Sequence, residues 1–144
     1  MAGPPTAVVD ASVAAKWFLP ERDSDAALAL RDEHVAGRIR LVAPALLPYE
    51  TANALRYHPQ VGSGFLADHI ADLFALAIRF DPVSDLSLAQ AVETAYRTGL
   101  TVYDACYISL AEHLDCPLLT ADETQLEASG PRGRQVRDWP SEGL

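Results

Sequence analysis

The sequence has few cysteines and no long apolar run, and each shortage excludes a common class of protein. Its two cysteines form no CxxC pair, which is typical of free thiols in a reducing compartment rather than of a disulfide scaffold. No apolar stretch approaches the roughly 18 residues of a membrane span. The first residues, MAGPPT, lack the basic and apolar regions of a signal peptide. We therefore expect a cytoplasmic protein that has no membrane segment.

Basic residues are scarce as well. The chain has 11 lysines and arginines against 20 aspartates and glutamates, so its net charge is −9. A surface of this sign repels nucleic acid at long range, and the basic patch typical of nucleic-acid-binding proteins is absent from the sequence. A function on nucleic acid would therefore need a local group of basic side chains, while the excess acid would suit a basic protein partner.

The 144 residues contain the material for one globular domain. About 150 residues per domain is the usual prior, and no repeat or linker divides the chain, so we expect a single domain over residues 1–144. Predicted strands lie in AVV, IRLVA, AIRFDPV, CPLLTAD and QVRDW. Predicted helices lie in ASVAAKWFL, SDAALALRDEHVAG, YETANALRY, residues 64–76, DLSLAQAVETAYRTG and YDACYISLAEHLD. This alternation predicts a parallel α/β sheet with helices on both faces.

Large apolar side chains are expected in the core. On the helix predicted for residues 64–76, these are Phe65, Ile70, Leu73 and Phe74. Burial is also the default expectation for Trp17, Phe18 and Tyr57, although a groove for a partner helix or a dimer surface is the alternative.

Four acidic residues fall at strand ends or helix starts. Asp10 directly follows a predicted strand and Asp122 ends one, while Glu50 and Asp104 fall in the first turns of predicted helices. In a parallel sheet these positions converge beyond the carboxyl ends of the strands, where ligands bind. Taken singly, each acid is explained as a helix cap or a first-turn acid. Thr101 and Asp104, for example, fit a capping box.

Together, the four acids indicate a metal site. Carboxylates that meet repel one another, and a divalent cation compensates that repulsion. Oxygen ligands suit Mg²⁺ or Mn²⁺, and no Cys/His spacing indicates zinc. Such a site can hydrolyse phosphodiesters. Phosphoryl transfer to an aspartate is the alternative chemistry, but position 12 is Ser rather than a second Asp, and Lys16 is the only lysine.

Four stretches resemble, in order, the PIN-domain ribonucleases and, within them, the VapC toxins of bacterial toxin–antitoxin pairs. They are VVDASVAAKWF, APALLPYETANAL, TVYDACYISLAEHL and CPLLTADETQL, and with their spacing they cover nearly the whole chain. The resemblance implies a three-layer α/β/α PIN-like fold with a short parallel central sheet. It also implies a metal-dependent endoribonuclease site built from Asp10, Glu50, Asp104 and Asp122.

Roles within that site follow from the resemblance as hypotheses. We expect Asp10, Asp104 and Asp122 to ligate Mg²⁺ or Mn²⁺, and Glu50 to act through the metal's waters or to orient the attacking one. A metal-activated water would then attack the RNA phosphodiester in line.

Other residues are expected to support the site or to contact RNA. Ser12 and Thr120 supply hydroxyls beside the acids, and Lys16 and Arg22 follow the first acid as candidate RNA contacts. A basic cluster near the C-terminus has no assigned role. It consists of Arg132, Arg134 and Arg137.

The resemblance further implies partners. These are a cognate VapB-type antitoxin, whose C-terminal segment lies over the site, an RNA substrate and a second copy of the chain in a homodimer. An antitoxin arginine is expected to pair with the carboxylates. The alternative is a catalytically silent PIN-like domain that only binds a partner.

Overall fold

The computed structural model describes residues 3–59 and 61–139, and within them five short parallel strands form one sheet. The strands are β1 (Thr6–Val9), β2 (Arg40–Pro44), β3 (Arg79–Asp81), β4 (Leu118–Thr120) and β5 (Gly133–Gln135). Their spatial order is β3-β2-β1-β4-β5. The predicted α/β fold with a short parallel central sheet is therefore confirmed.

Helices flank the sheet and connect its strands. In the described part of the chain they are α1 (Ala11–Ala14), α2 (Ser24–Val35), α3 (Leu47–Arg56), α4 (Ser63–Ala75), α5 (Asp85–Thr98), α6 (Val102–Leu114) and α7 (Glu123–Ser129). Several boundaries follow from local signals. For example, α5 ends at Gly99, which adopts a left-handed φ of 78° and donates its N–H to the Ala95 carbonyl. None of the described helices is long and apolar enough to cross a membrane.

The strand order creates a crevice next to β1. From β1 the chain builds β2 and β3 on one side, then returns to build β4 and β5 on the other. The order therefore reverses between β1 and β4, which is the position where open parallel sheets bind ligands. Asp10 directly follows β1, and Asp122 lies two residues beyond β4.

The last strand differs from its prediction. QVRDW was expected to be a strand, but β5 ends at Gln135, and Val136–Asp138 forms a 3-10 turn. β5 ends at Gln135 because this residue pairs with Thr120, the last residue of β4. β4 does not extend beside the residues that follow Gln135. Gly133 begins β5 where the backbone passes close to α7. A Cβ there would lie 2.9 Å from the Leu126 carbonyl oxygen.

The core is centred on β1 and α6. Ala7, Val8 and Val9 are fully buried, and Tyr107 and Ile108 of α6 belong to the same cluster. The burial expected for the large apolar residues is only partly correct. Leu73 and Trp17 are buried and Ile70 and Phe18 are partly buried, whereas the exposed residues are Tyr57, Phe65 and Phe74.

Candidate functional site

Asp10 is the buried centre of the candidate site and is only 5% exposed. Its Oδ1 accepts hydrogen bonds from Ser12 Oγ at 2.5 Å, Ser12 N at 3.1 Å and Val13 N at 3.3 Å. Its Oδ2 accepts one from Thr120 Oγ1 at 2.5 Å. Burial raises the pKa of Asp10 to about 6, even though these hydrogen bonds act to lower it. Asp10 therefore caps α1, as the helix-cap explanation from the sequence predicts. The same hydrogen bonds also fix its carboxylate in position.

Two hydroxyls connect Asp10 to the end of β4. Ser12 Oγ accepts the N–H of Ala121 at 2.9 Å, and Thr120 Oγ1 accepts the N–H of Asp122 at 3.0 Å. These bonds bring the second acid close, and the charge of Asp122 raises the pKa of Asp10 further. Asp122 itself is exposed and caps α7. Ser12 and Thr120 thus both hydrogen-bond to the Asp10 carboxylate.

Glu50 lies in the first turn of α3, where a buried tyrosine holds it. The Tyr107 hydroxyl donates to Glu50 Oε1 at 2.6 Å. Partial burial raises the pKa of Glu50, and the nearby charge of Asp104 raises it further. Burial also raises the pKa of Tyr107, as do the charges of Glu50 and Asp10. Tyr107 thus interacts with two of the acids, since its hydroxyl donates to Glu50 and the charge of Asp10 also acts on it.

Asp104 lies in the first turn of α6, with its side chain exposed. Its N–H donates to Thr101 Oγ1 at 3.2 Å, so Thr101 is the predicted cap. A second contact ties Asp104 to α7, because Gln125 Nε2 donates to the Asp104 carbonyl at 3.0 Å. The Gln125 N–H also donates to Asp122 Oδ1, at 3.1 Å. Gln125 is buried, and its Oε1 has no hydrogen-bond partner in the described part of the chain.

The acids interact electrostatically in pairs. The charge of Asp122 raises the pKa of Asp10, and the charge of Asp104 raises the pKa of Glu50. Within residues 3–59 and 61–139, no group of three His, Cys, Asp or Glu side chains is placed to hold a metal ion. No described Lys or Arg forms an ion pair with any of the four acids. The four acids therefore suit a hard divalent cation by the chemistry of their carboxylate oxygens, whereas the described structure does not bring three of them together as ligands.

Of the candidate RNA contacts, Lys16 lies in a 3-10 turn (Ala15–Trp17) directly after α1, and Arg22 lies in the turn before α2. Lys16 Nζ donates to the Arg22 carbonyl at 2.6 Å and to Glu21 Oε1 at 3.3 Å, so its ammonium is already bound within the protein. The Arg22 side chain is exposed and lies 3.9 Å from an Asp23 carboxylate oxygen.

The C-terminal basic cluster does not lie together at the acids. Arg132 precedes β5 and pairs at 2.8 Å with Asp115, which precedes β4, so both lie at the amino ends of the strands. The acids lie at the opposite, carboxyl ends. Arg134 donates to the carbonyls of Pro131 and Gly133.

Comparison with known proteins identifies the family. Residues 7–130 match the PIN domain. The chain belongs to the PIN domain family. It is 32% identical over 126 residues to Ribonuclease VapC3 of Pyrobaculum aerophilum, and the match covers 83% of this chain and 92% of that relative.

Solved structures show the same PIN fold. PAE2754 from Pyrobaculum aerophilum matches with a TM-score of 0.63 and 26% identity, over 92% of this chain and 90% of that one. FitAB bound to the IR36 DNA fragment matches with a TM-score of 0.70 and 13% identity, over 91% and 95%. FitAcB from Neisseria gonorrhoeae matches with a TM-score of 0.65 and 15% identity, over 90% and 97%. The last two likenesses concern the fold alone.

Two residues of the site were missed by sequence reasoning. Tyr107 lies three residues after Asp104 on α6, and Gln125 lies three residues after Asp122 at the start of α7. Residues three apart on a helix share a face. The spacing from each predicted acid was therefore a usable signal, although it does not say which groups the side chains contact.

Proposed function

We propose that this chain is a divalent-metal-dependent endoribonuclease that acts in the cytoplasm as the toxin of a toxin–antitoxin pair. The observation that carries the proposal is the setting of Asp10 in a PIN-family chain. Its buried carboxylate ends the central strand, accepts four hydrogen bonds and lies beside Asp122. The 32% identity to Ribonuclease VapC3 supports RNA as the substrate.

Asp10, Asp104 and Asp122 would hold Mg²⁺ or Mn²⁺. The cation would supply a water of lowered pKa and would offset the charge of the phosphate. Ser12 and Thr120 keep the Asp10 carboxylate in one orientation, so that it does not have to be ordered when the substrate binds.

Glu50 would orient the attacking water. The Tyr107 hydroxyl occupies its Oε1, which leaves Oε2 for a water at the site. Because Glu50 is half-buried and its pKa is raised, its carboxylate is a better proton acceptor than an exposed glutamate. Tyr107 acts in this proposal as a positioning residue.

The partners proposed are an antitoxin and a second copy of the chain. Asp104 and Asp122 are exposed and have no basic partner among the described residues. A guanidinium from an antitoxin would pair bidentately with such carboxylates and block the site. Lys16 and Arg22 remain proposed contacts for the RNA phosphates.

A silent partner-binding domain is the less favoured alternative. All four acids of the PIN pattern are present, and the relative of 32% identity is named a ribonuclease. Phosphoryl transfer to Asp10 is also disfavoured, because the only lysine of the chain, Lys16, already donates to Glu21 and to the Arg22 carbonyl.

The test is cleavage of total RNA by purified protein with Mg²⁺, with Mn²⁺ and with EDTA. We expect cleavage with a divalent ion, none with EDTA, and a loss of about 100-fold or more in Asp10→Asn. Asp25→Asn is the matched control, since Asp25 is an exposed first-turn acid of α2. Cleavage by Asp10→Asn at the unmodified rate would remove Asp10 from the mechanism, and cleavage in EDTA would remove the metal.

A further inference from the structure

A cavity of about 470 Å³ lies at the amino ends of β2 and β3, at the opposite end of the strands from the acids. It opens between the turn that joins α2 to β2 and the turn that joins α4 to β3, since Gly37, Ile39 and Ala77 line it. The first residues of the two strands, Arg40 and Arg79, line it as well. Its volume is within the range of about 300–1,000 Å³ that is usual for ligand pockets.

The two arginines start from neighbouring positions on one face of the sheet. β2 and β3 are parallel, and Arg79 is paired with Val42. Arg40 lies two residues before Val42, and residues two apart in a strand point to the same face. The usual strand spacing and rise put the Cα atoms of Arg40 and Arg79 roughly 8 Å apart. Two guanidinium groups are thus carried into one cavity by a backbone that is already fixed.

Neither guanidinium is neutralised within the described part of the chain. Arg40 and Arg79 are exposed and form no ion pair there. Glu33, in the last turn of α2, is already bound through both of its oxygens by Arg38, at 2.6 Å each. None of the described residues that line the cavity is acidic. Like charges placed side by side repel one another, and a bound anion would offset that repulsion.

His34 forms part of the cavity wall without adding charge. The Leu41 N–H donates to its Nδ1 at 3.1 Å, so that nitrogen carries no proton. Its Nε2 therefore carries the proton and donates it to the Leu76 carbonyl at 2.8 Å. The neutral ring joins the end of α2 to β2 and to the residue that follows α4. The charge of the cavity thus comes from the two arginines, and hydrogen bonds hold its wall in place.

We propose that Arg40 and Arg79 together bind the phosphate group of a small phosphate monoester in this cavity. Such a phosphate carries nearly two negative charges at neutral pH and has three terminal oxygens, so it matches two positive charges and offers acceptors to both guanidinium groups. A carboxylate has a single charge and two oxygens, which one arginine already satisfies. Because the cavity lies away from the acids, the inference is independent of the proposed ribonuclease function.

The test is calorimetric titration of adenosine 5′-monophosphate into the metal-free protein, in EDTA, at low salt and about pH 7.5. We expect binding to the unmodified chain, a Kd raised about tenfold in Arg40→Gln and in Arg79→Gln, and no measurable binding in the double variant. Adenosine, which lacks the phosphate, should not bind. Arg137→Gln is the matched control, because Arg137 is exposed, forms no ion pair within residues 3–59 and 61–139, and does not line the cavity.

Arg79→Lys separates charge from geometry, because lysine keeps the positive charge but cannot donate as a fork. Its Kd should lie between those of the unmodified protein and of Arg79→Gln. Since both arginines are exposed, none of these variants should lower the midpoint of thermal unfolding without the ligand. Lost binding would then reflect the lost contact rather than lost folding.

Two results would overturn the phosphate site. One is equal affinity of the unmodified protein and of the double variant for the nucleotide, or no binding by either. The other is obtained with a single-stranded RNA that has no terminal phosphate, since the phosphodiesters inside a strand carry one charge each. We expect that RNA to bind the unmodified protein and the double variant within about twofold. A loss of about tenfold in the double variant would instead assign the arginines to an RNA strand.

Discussion

At the scale of single residues, Asp10 has an environment that disfavours its charge. Its pKa of about 6 lies above the ordinary value of 3.8, and burial is the main cause. A carboxyl group whose pKa is higher in the folded state contributes stability at low pH, and this contribution is lost as the pH rises through about 6. The difference corresponds to roughly 3 kcal/mol at neutral pH. The apo protein is thus destabilised by the residue that the proposed chemistry needs most.

Asp10→Asn should therefore stabilise the metal-free protein. We expect the free energy of unfolding to rise by about 1–3 kcal/mol at pH 7.5, because asparagine carries no charge and its Oδ1 still accepts the Ser12 and Val13 N–H groups. The gain should shrink as the pH falls from about 6 toward the ordinary aspartate pKa of 3.8. Urea denaturation in EDTA measures it. If the variant is less stable than its parent at pH 7.5 as well as near pH 4, the proposed cost of the Asp10 charge is wrong.

Tyr107→Phe tests the positioning of Glu50. The variant keeps the buried ring and loses only the donor to Glu50 Oε1. We expect kcat for RNA cleavage to fall about tenfold with KM nearly unchanged, and stability to change by about 1 kcal/mol. Tyr103→Phe on the same helix is the control, since that tyrosine is exposed. Equal kcat values for the two variants would show that Glu50 needs no donor.

At the scale of elements, boundaries were predictable wherever the signal was local. Gly99 ends α5 as expected, and the strand ends that carry Asp10 and Asp122 follow from short apolar runs. The extent of β5 was not predictable, because β4 offers it a register of only three residues. Nor were Phe65 and Phe74 predictable as exposed, since periodicity indicates a helix but not how much of its apolar face another element covers.

The starts of α6 and α7 are joined by one side chain, Gln125. Its Nε2 donates to the Asp104 backbone carbonyl, while its backbone N–H donates to Asp122 Oδ1, so this residue links the helix starts that carry two of the proposed ligands. The contact joins two helix starts that are distant in sequence. The positions of the acids could be predicted because strand ends and helix starts converge at one edge of a parallel sheet. The role of Gln125 could not be predicted, because it depends on a contact between side chain and backbone that the sequence does not show.

Gln125→Leu should separate stability from cation binding. The variant loses one hydrogen bond but also removes the buried Oε1 that has no partner among the described residues, so we expect unfolding free energy to change by less than about 1 kcal/mol. Affinity for Mn²⁺ should fall about tenfold, because the start of α6, which carries Asp104, is no longer hydrogen-bonded to the start of α7, which follows Asp122. Gln90→Leu on α5 is the control. An unchanged Mn²⁺ affinity would assign Gln125 a packing role only.

At the scale of the whole molecule, the net charge of −9 limits how RNA is held. Lys16 lies in one cavity lining with Asp122, Arg22 contacts Lys16 through its carbonyl, and Arg56 lies against Tyr57 of the same lining. Arg132 lies at the opposite end of the strands. Affinity must then come mainly from the proposed cation at the acids and only in small part from pairing with phosphates. Because the proposed cation would attract the phosphates, a chain with so few basic residues is compatible with an RNA substrate.

The salt dependence of RNA binding should accordingly be weak. Three phosphate contacts correspond to a slope of about −2 for log affinity against log salt concentration with a single strand. Fluorescence anisotropy titrations of RNA binding at salt concentrations from about 50 to about 200 mM measure this slope. A slope of about −5 or steeper would require a larger basic surface than these residues provide.

Calorimetric titration of Mn²⁺ into the metal-free protein tests most directly whether the four acids form one cation site. We expect binding to the unmodified chain, loss of that binding in Asp10→Asn, and affinities lowered by about tenfold or more in Asp104→Asn and Asp122→Asn. Asp25→Asn should bind as the unmodified chain does. Equal Mn²⁺ affinity in the unmodified protein and in Asp10→Asn would contradict the proposed site.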